Sequence, residues 1–422
     1  MAELKRTTKR IAEQEKGEFD LTAVSMSANK NHVRLDHASF VENTKVASAG
    51  NRGRGLFATK DLKRGDLIMV EKAFCVAHKN DAGGTLSMLI NTNTDRILFG
   101  THAQRFLTLL DKVAHNPKQA SLYLDLFDGG RFATEEVKVV DGKVVIDTFR
   151  VQAIAELNGF GCPAGDEVEE KHATASLLGS TGIWLRASYC NHRCLPNADR
   201  SFIGDMMVVQ ANQDIKAGGE IFLTYGNAFD AYVERKKHLD FYGFQCDCNL
   251  CKSESKVPAN IVKERTRLVG EAKKFISENK QTLASQTPST KKTKKAKELV
   301  RKLRATYDEK AFGHLPRLDC VQLGLWLCQR GGVSPNESLN DALLVLRDLG
   351  YFFKLSGSGS AWGQVDESNG FAVDAAVHAA MYGSGALAAI GNGRAASAFQ
   401  DFAKRGYVLN HGSDEGFNAE YT

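Results

Sequence analysis

The run Cys246-Asp247-Cys248-Asn249-Leu250-Cys251 places three thiols within six residues. A Cys-x-Cys-x-x-Cys run of this kind offers three of the four ligands that a closed, tetrahedral zinc site takes. The fourth has to come from elsewhere. Cys194 lies well upstream, in Asn191-His192-Arg193-Cys194-Leu195-Pro196-Asn197, and Cys190 competes with it four residues earlier. The expected ligand set is Cys194, Cys246, Cys248 and Cys251. A structural zinc there would pin the cysteine loop against the Asn-His segment, and a cofactor could be held between them.

Two further blocks carry residues suited to a ligand. Arg52-Gly53-Arg54-Gly55-Leu56 combines glycines, which let backbone approach a ligand without a side-chain clash, with arginines that can pair with a carboxylate. Taken alone, a surface glycine turn with solvated arginines is the better explanation of that block. Gly219-Glu220-Ile221-Phe222-Leu223-Thr224-Tyr225 reads as a turn, a strand and a terminal tyrosine. Tyr242 and Phe244 stand just before the cysteine loop and present aromatic faces, which attract cations as well as packing.

These groups need a scaffold of ordinary composition. The chain has 422 residues, 43% hydrophobic and 25% charged, with a net charge of +5. This suits a globular protein of two or three domains and is too weak a charge to argue for nucleic acid. No apolar run is long enough to cross a bilayer, and the polar start Met1-Ala2-Glu3-Leu4-Lys5-Arg6 has no apolar core of a secretory signal. Nine cysteines without the spacing of a disulfide scaffold predict a reducing, intracellular compartment, nucleus or cytoplasm.

Short strands are expected at 39–41 and 44–46, after Gly55, and over 67–71. Residues 82–128 read as helical from loose leucine stripes. A hairpin or turn is expected around Asp141-Gly142, and a helix over 150–160. Strands return at 206–211 and 220–225, and 230–242 reads as a helix leading into the cysteine loop. Beyond Lys252 the pattern is helical over 258–350, with a basic run at 291–297. That run is read as a solvated face that could also meet an acidic partner. A flexible break follows at 356–363, then an alanine-rich helical hairpin over 371–416 with its turn at Gly391-Asn392-Gly393. One tetratricopeptide-like pair has this texture.

The glycine block, the Asn-His block, the Tyr225 block and the cysteine run, in that order, resemble the SET-domain protein lysine methyltransferases. The likeness is closest to the SET-and-MYND branch and its fungal relatives with helical repeats, without the MYND finger. The resemblance covers about residues 38–252. It implies an α+β chain: a polar lead-in over 1–37, a β-rich SET fold with a pseudoknot over 38–245 with a helical insert about 76–150, a post-SET zinc loop over 246–255, and an all-helical C-terminal region over 256–422. It also implies S-adenosylmethionine as cofactor, bound by Arg52, Gly53, Arg54, Asn158, Asn191, His192 and Phe244. Tyr242 would wall the lysine channel, and Tyr225 would orient the amine beside the transferred methyl. Arg193 departs from the family pattern, which has serine there.

The expected function is therefore methylation of protein lysine, on a histone or another protein, with no requirement for nucleic acid or membrane and an unspecified oligomeric state. Two other readings stand beside it: a SET-fold scaffold that binds partners with little catalysis, and a SET fold turned to a small-molecule substrate. Arg193 is the feature that speaks for the scaffold, because a cation beside a sulfonium is unfavourable unless it points away.

Overall fold

The computed structural model describes residues 1–28, 34–79, 87–133, 136–162, 179–279, 289–354 and 364–421. Three small sheets form the framework. In the first, the antiparallel pair Thr44–Ser48 and Arg54–Ala58 is extended by Glu220–Leu223. The two-residue strand Asn191–His192 then joins Glu220–Leu223 in parallel, Asn191 opposite Phe222. In the second, Met206–Ala211 lies between Leu67–Lys72 and Ala198–Ile203, all antiparallel. Its central strand is buried at every residue, so Met206-Met207-Val208-Val209 reads as an unbroken apolar run rather than an alternating one. The third sheet sets Thr181–Ile183 between Cys75–Ala77 and Gly159–Gly161.

A helical insert covers this framework on one side. The helices Thr101–His115, Pro117–Leu124 and Thr148–Asn158 bury Leu109, Val113, Tyr123 and Ile154 against Phe74 and Ile183. Residues 88–99 differ from the helical expectation. Met88–Asn91 and Arg96–Phe99 form a β-hairpin, with Asp95 in the left-handed region (φ 54°) and the Asn91 side chain accepting from the N–H groups of Asn93 and Thr94. The turn chemistry of Asn91-Thr92-Asn93-Thr94-Asp95 prevailed over the downstream leucine stripe. Around Asp141-Gly142 a short hairpin pairs Val139–Val140 with Lys143–Val144, both turn residues having positive φ.

The segment before residue 38 is more than a polar lead-in. Helices span Ala2–Lys16 and Leu21–Ala28, and Val24 and Leu35 pack with Val70, Ile203 and Val208. Glu13 is buried, accepting from His37 Nδ1 at 2.7 Å and from the Ala38 N–H at 3.0 Å. Phe40, expected in a strand, makes only an isolated bridge to Val70.

After the cysteine loop the chain is mainly helical: Ala259–Glu278, Thr290–Ala305, Val321–Cys328, Pro335–Asp348, Asp374–Ala389 and Gly393–His411. The basic run lies on Thr290–Ala305, whose Ala296, Leu299, Val300 and Leu303 are buried. The last two helices pack as a hairpin, with Gly391 at φ 79° and the Asn392 side chain accepting from the Ala395 N–H. A small antiparallel pair, Phe352–Lys354 with Gln364–Asp366, was not expected; the break at 356–363 lies outside the described residues. No helix among the described residues is long and apolar enough to cross a membrane. Cys194, Cys248, Leu250 and Cys251 share one apolar cluster with Trp326, Phe399 and Phe371. The cysteine loop thus stands where the helical region meets the sheets.

Candidate active site and metal centre

The expected cysteines converge. The sulfurs of Cys194, Cys246, Cys248 and Cys251 all lie within 4.8 Å of one another, with Cys194 at 3.5 Å from Cys251 and 3.9 Å from Cys246. Tetrahedral zinc with Zn–S bonds of about 2.3 Å sets its sulfurs about 3.8 Å apart, so the four thiols fit that ion as they stand. Cys190 is not among them. It is buried in the sheet core with Leu56, Trp184 and Leu223, and burial pushes its thiol up. Beside the cluster, buried Arg235 donates to the Asp230 carbonyl at 2.6 Å, pairs with Glu254 and lies 4.0 Å from Cys251 Sγ. Four thiolates around a divalent ion would carry a net negative charge, which this guanidinium would offset.

His192 couples the cluster to Tyr225. Its Nδ1 accepts the Tyr225 N–H at 2.9 Å, which leaves the ring proton on Nε2, 3.4 Å from Cys194 Sγ. Burial lowers the pKa of this imidazole and favours its neutral form, as the acceptor role requires. On the other side His238 Nε2 meets the Tyr225 carbonyl at 3.2 Å. The Tyr225 hydroxyl donates to the Cys190 carbonyl at 2.8 Å, and burial raises its pKa. Around that hydroxyl stand Tyr242, ring centre 4.9 Å from that of Tyr225, and Phe244, at 6.2 Å from Tyr225 and 6.0 Å from His192. The helix Tyr232–Asp240 delivers these two rings, and Gly243 between them takes a positive φ of 77°.

Asn191 meets the glycine block. Its Nδ2 donates to the Arg54 carbonyl at 3.1 Å and to Glu220 Oε1 at 2.8 Å, while Glu220 Oε2 receives Arg52 Nη2 at 2.5 Å. Gly53 (φ 76°, ψ −119°) makes the turn into Arg54–Ala58. Gly55 is required by crowding. A Cβ there would lie 2.7 Å from Glu220 Oε1, 3.0 Å from Asn191 Nδ2 and 3.1 Å from Ala49 Cβ. The glycine thus makes room for the protein's own Asn191–Glu220 pair as well as for any ligand. Arg54 is engaged with Asp125 at 2.6 Å and lies over the Tyr189 ring at 5.0 Å. Asn158 uses both amide hydrogens on the Phe127 and Ile154 carbonyls, each at 2.8 Å, and its own carbonyl accepts Ser188 Oγ at 3.4 Å. Its side chain therefore ties the helix end to the Phe127 carbonyl, with both amide hydrogens already engaged within the protein. Arg193 is exposed and stacks over Phe222 at 4.0 Å.

Several residues of this site went unnoticed in the sequence: Glu220, Asp125, Tyr189, Ser188, His238, Arg235 and Arg200. Glu220 stood inside a block already singled out, yet nothing there marks its carboxylate as the partner of Asn191. A cavity of about 330 Å³ opens between His192 and Thr224 on one side and Arg235, His238 and Leu239 on the other. His192, one of the expected cofactor residues, lines it, whereas Gly53, Asn191 and Phe244 do not.

Comparison with known proteins places a name on this arrangement. The SET domain family model matches residues 53–226. A protein described as "Methyltransferase" from Gibberella zeae is 31% identical over 340 residues, covering 77% of this chain and 44% of that protein. The N-lysine methyltransferase SMYD2-B of Xenopus laevis is 30% identical over 246 residues, 54% of each chain. The Schizosaccharomyces pombe histone-lysine N-methyltransferase set5 is 37% identical over 78 residues, 18% of this chain and 24% of its own. The chain spans about half or less of the length of these relatives. The sheets, the Asn-His strand and the family match together assign a SET domain to residues 53–226, and the chain around it is similar to SET-and-MYND and fungal methyltransferases.

Proposed function

We propose that this chain is an S-adenosylmethionine-dependent methyltransferase acting on lysine side chains of proteins, with a structural zinc. The observation that carries the reading is the convergence of Tyr225, the Asn191–His192 strand and the aromatic rings of Tyr242 and Phe244, joined through His192 to four clustered thiols. When bound, S-adenosylmethionine supplies a methyl group on a cationic sulfonium. Asn191 and the backbone around Arg52, Gly53 and Arg54 would hold its amino-acid end, and Phe244 its adenine side. Of the two arginines, Arg52 shares its partner Glu220 with Asn191 and is the better candidate for the carboxylate.

Tyr225 positions the amine. Its proton is directed to the Cys190 carbonyl, so its oxygen is left to accept an N–H from an incoming lysine and aim the nitrogen lone pair. Burial keeps the phenol protonated, which holds that polarity. Tyr242 and Phe244 supply apolar and π faces that exclude water around the amine. Arg193 is exposed and stacked on Phe222, a position that supports the catalytic reading over the scaffold.

The test is transfer of labelled methyl from S-adenosylmethionine to core histones and to a protein mixture, with Tyr225→Phe alongside. Loss of one positioned hydroxyl is expected to lower kcat about 10²–10³-fold, with cofactor affinity retained. Absence of protein labelling, or full activity of Tyr225→Phe, would contradict the proposal.

A further inference from the structure

Arg200 sits on the strand Ala198–Ile203 beside the proposed amine site. It is half-buried, donates from Nη1 to the Thr224 carbonyl at 2.8 Å, and lies over the Phe160 ring at 5.6 Å. Thr224 immediately precedes Tyr225, so this bond reaches the backbone of the proposed catalytic residue. The groups whose charge acts most on the guanidinium are Asp199, Tyr242, Cys190 and Tyr225. Desolvation lowers its pKa, yet an arginine remains cationic at any ordinary pH. Among the described residues no carboxylate comes within ion-pair distance of it.

The surroundings sharpen the point. Asp199 is the one carboxylate among those groups, and as the neighbouring residue of the same strand it faces the opposite side of the sheet. There it acts on Arg64 and Tyr351. Tyr225, Tyr242 and Cys190 are kept neutral by burial. Glu220 acts on Tyr225 and Cys190 from further off, while Arg52 takes one of its oxygens and Asn191 the other. A fixed cation without an ion-pair partner among the described residues thus stands beside the backbone that carries Tyr225, and Asp199, whose Oδ1 accepts the Arg200 N–H at 2.9 Å, is the carboxylate that acts on it.

We propose that Arg200 is a positioning residue whose charge disfavours the ammonium form of the bound substrate lysine, so that the amine is held neutral beside Tyr225. The proposal rests on the lysine methyltransferase reading of the same site. Its chemistry is simple. A lysine entering as the ammonium meets a like charge in a half-buried site, and its proton leaves to solvent more readily than from free lysine. The nitrogen lone pair is then available at lower pH. Two unit charges several ångströms apart in such surroundings shift an amine by about one to two pH units. The backbone bond to Thr224 fixes Arg200 relative to Tyr225, so this effect acts on the nitrogen that Tyr225 orients.

The test uses the full chain with S-adenosylhomocysteine and a histone-tail peptide carrying ¹³Cε-lysine, titrated by NMR. Activity plays no part in this measurement. The bound amine should titrate about one to two units below the free peptide. Arg200→Gln should return it to near the free value, and Arg200→Lys, which keeps the charge, should leave it low. In steady state the kcat–pH midpoint of Arg200→Gln should move up by the same amount, with its high-pH plateau retained. An unmoved midpoint with a lowered plateau, or a bound amine titrating as in free peptide, would overturn the proposal. Failure of the unsubstituted protein to bind or label any histone peptide would instead remove the histone-lysine reading beneath it.

Discussion

Gly55 offers a sharp test of how the glycine block works. Replacing its hydrogen by a methyl group puts carbon 2.7 Å from Glu220 Oε1 and 3.0 Å from Asn191 Nδ2, too close for either to stay. Gly55 itself has no positive φ, so alanine adds bulk without backbone strain. The Glu220 carboxylate is the flexible neighbour and moves first, which breaks the 2.8 Å bond from Asn191 and disturbs the pairing with Arg52. A hydrogen bond to a charged group contributes about 1.5–3 kcal/mol. If Asn191 presents its amide to the cofactor, S-adenosylmethionine affinity should fall about 10- to 150-fold in Gly55→Ala. Calorimetric titration reads this directly, and thermal unfolding separates it from global loss, since Tm should drop by only a few degrees. Binding within threefold of the unsubstituted protein, with the fold intact, would refute the reasoning.

Two further outcomes follow from the same geometry. Arg235→Gln removes the cation 4.0 Å from Cys251 and should weaken zinc binding about 10- to 100-fold in chelator competition; an unchanged affinity would deny its role beside the thiols. Glu71 is buried under the turn that leads to the Asn-His strand and accepts the N–H groups of Arg186 and Ala187 at 2.7 and 2.9 Å. Burial raises its pKa to about 7, against two hydrogen bonds that lower it. A carboxyl with a native pKa above its unfolded value near 4.5 favours the fold while protonated. Its contribution is full below about pH 4.5 and is lost as pH rises to about 7, roughly 3 kcal/mol in all. The stability difference between the unsubstituted protein and Glu71→Gln should therefore change across that window. A difference constant with pH would show that the native pKa of this carboxyl is not raised.

The legible part of this site was its covalent chemistry. Residue type and spacing point to four zinc ligands, and the coordinates bring those four thiols together. The Asn-His pair and Tyr225 stood out as motifs read against a family, and the structure sets His192 and Tyr225 side by side. What stayed hidden were the partners that orient these residues. Glu220 is 168 residues from Arg52, Asp125 is 71 from Arg54, and Glu254 meets Arg235 from 19 residues away, beyond the cysteine run. An exposed-looking charge carries no sign in sequence of which distant charge it meets. The 88–99 hairpin was obscured because Leu107, Leu109 and Leu110 made a helix pattern nearby. The N-terminal helices were undervalued because Val24 and Leu35 are too sparse to form a stripe, although they complete a core with Val70 and Val208.

The central claim is that a zinc clamp on Cys194, Cys246, Cys248 and Cys251 holds the Tyr242–Phe244 wall against Asn191 and His192, and so forms a methyl-donor site. Calorimetric titration of S-adenosylmethionine into zinc-loaded and chelator-stripped protein tests this most directly. The account predicts saturable one-to-one binding in the loaded form and its loss on stripping, restored when zinc is returned. Equal binding with and without the metal, or no binding to the loaded protein, would contradict it.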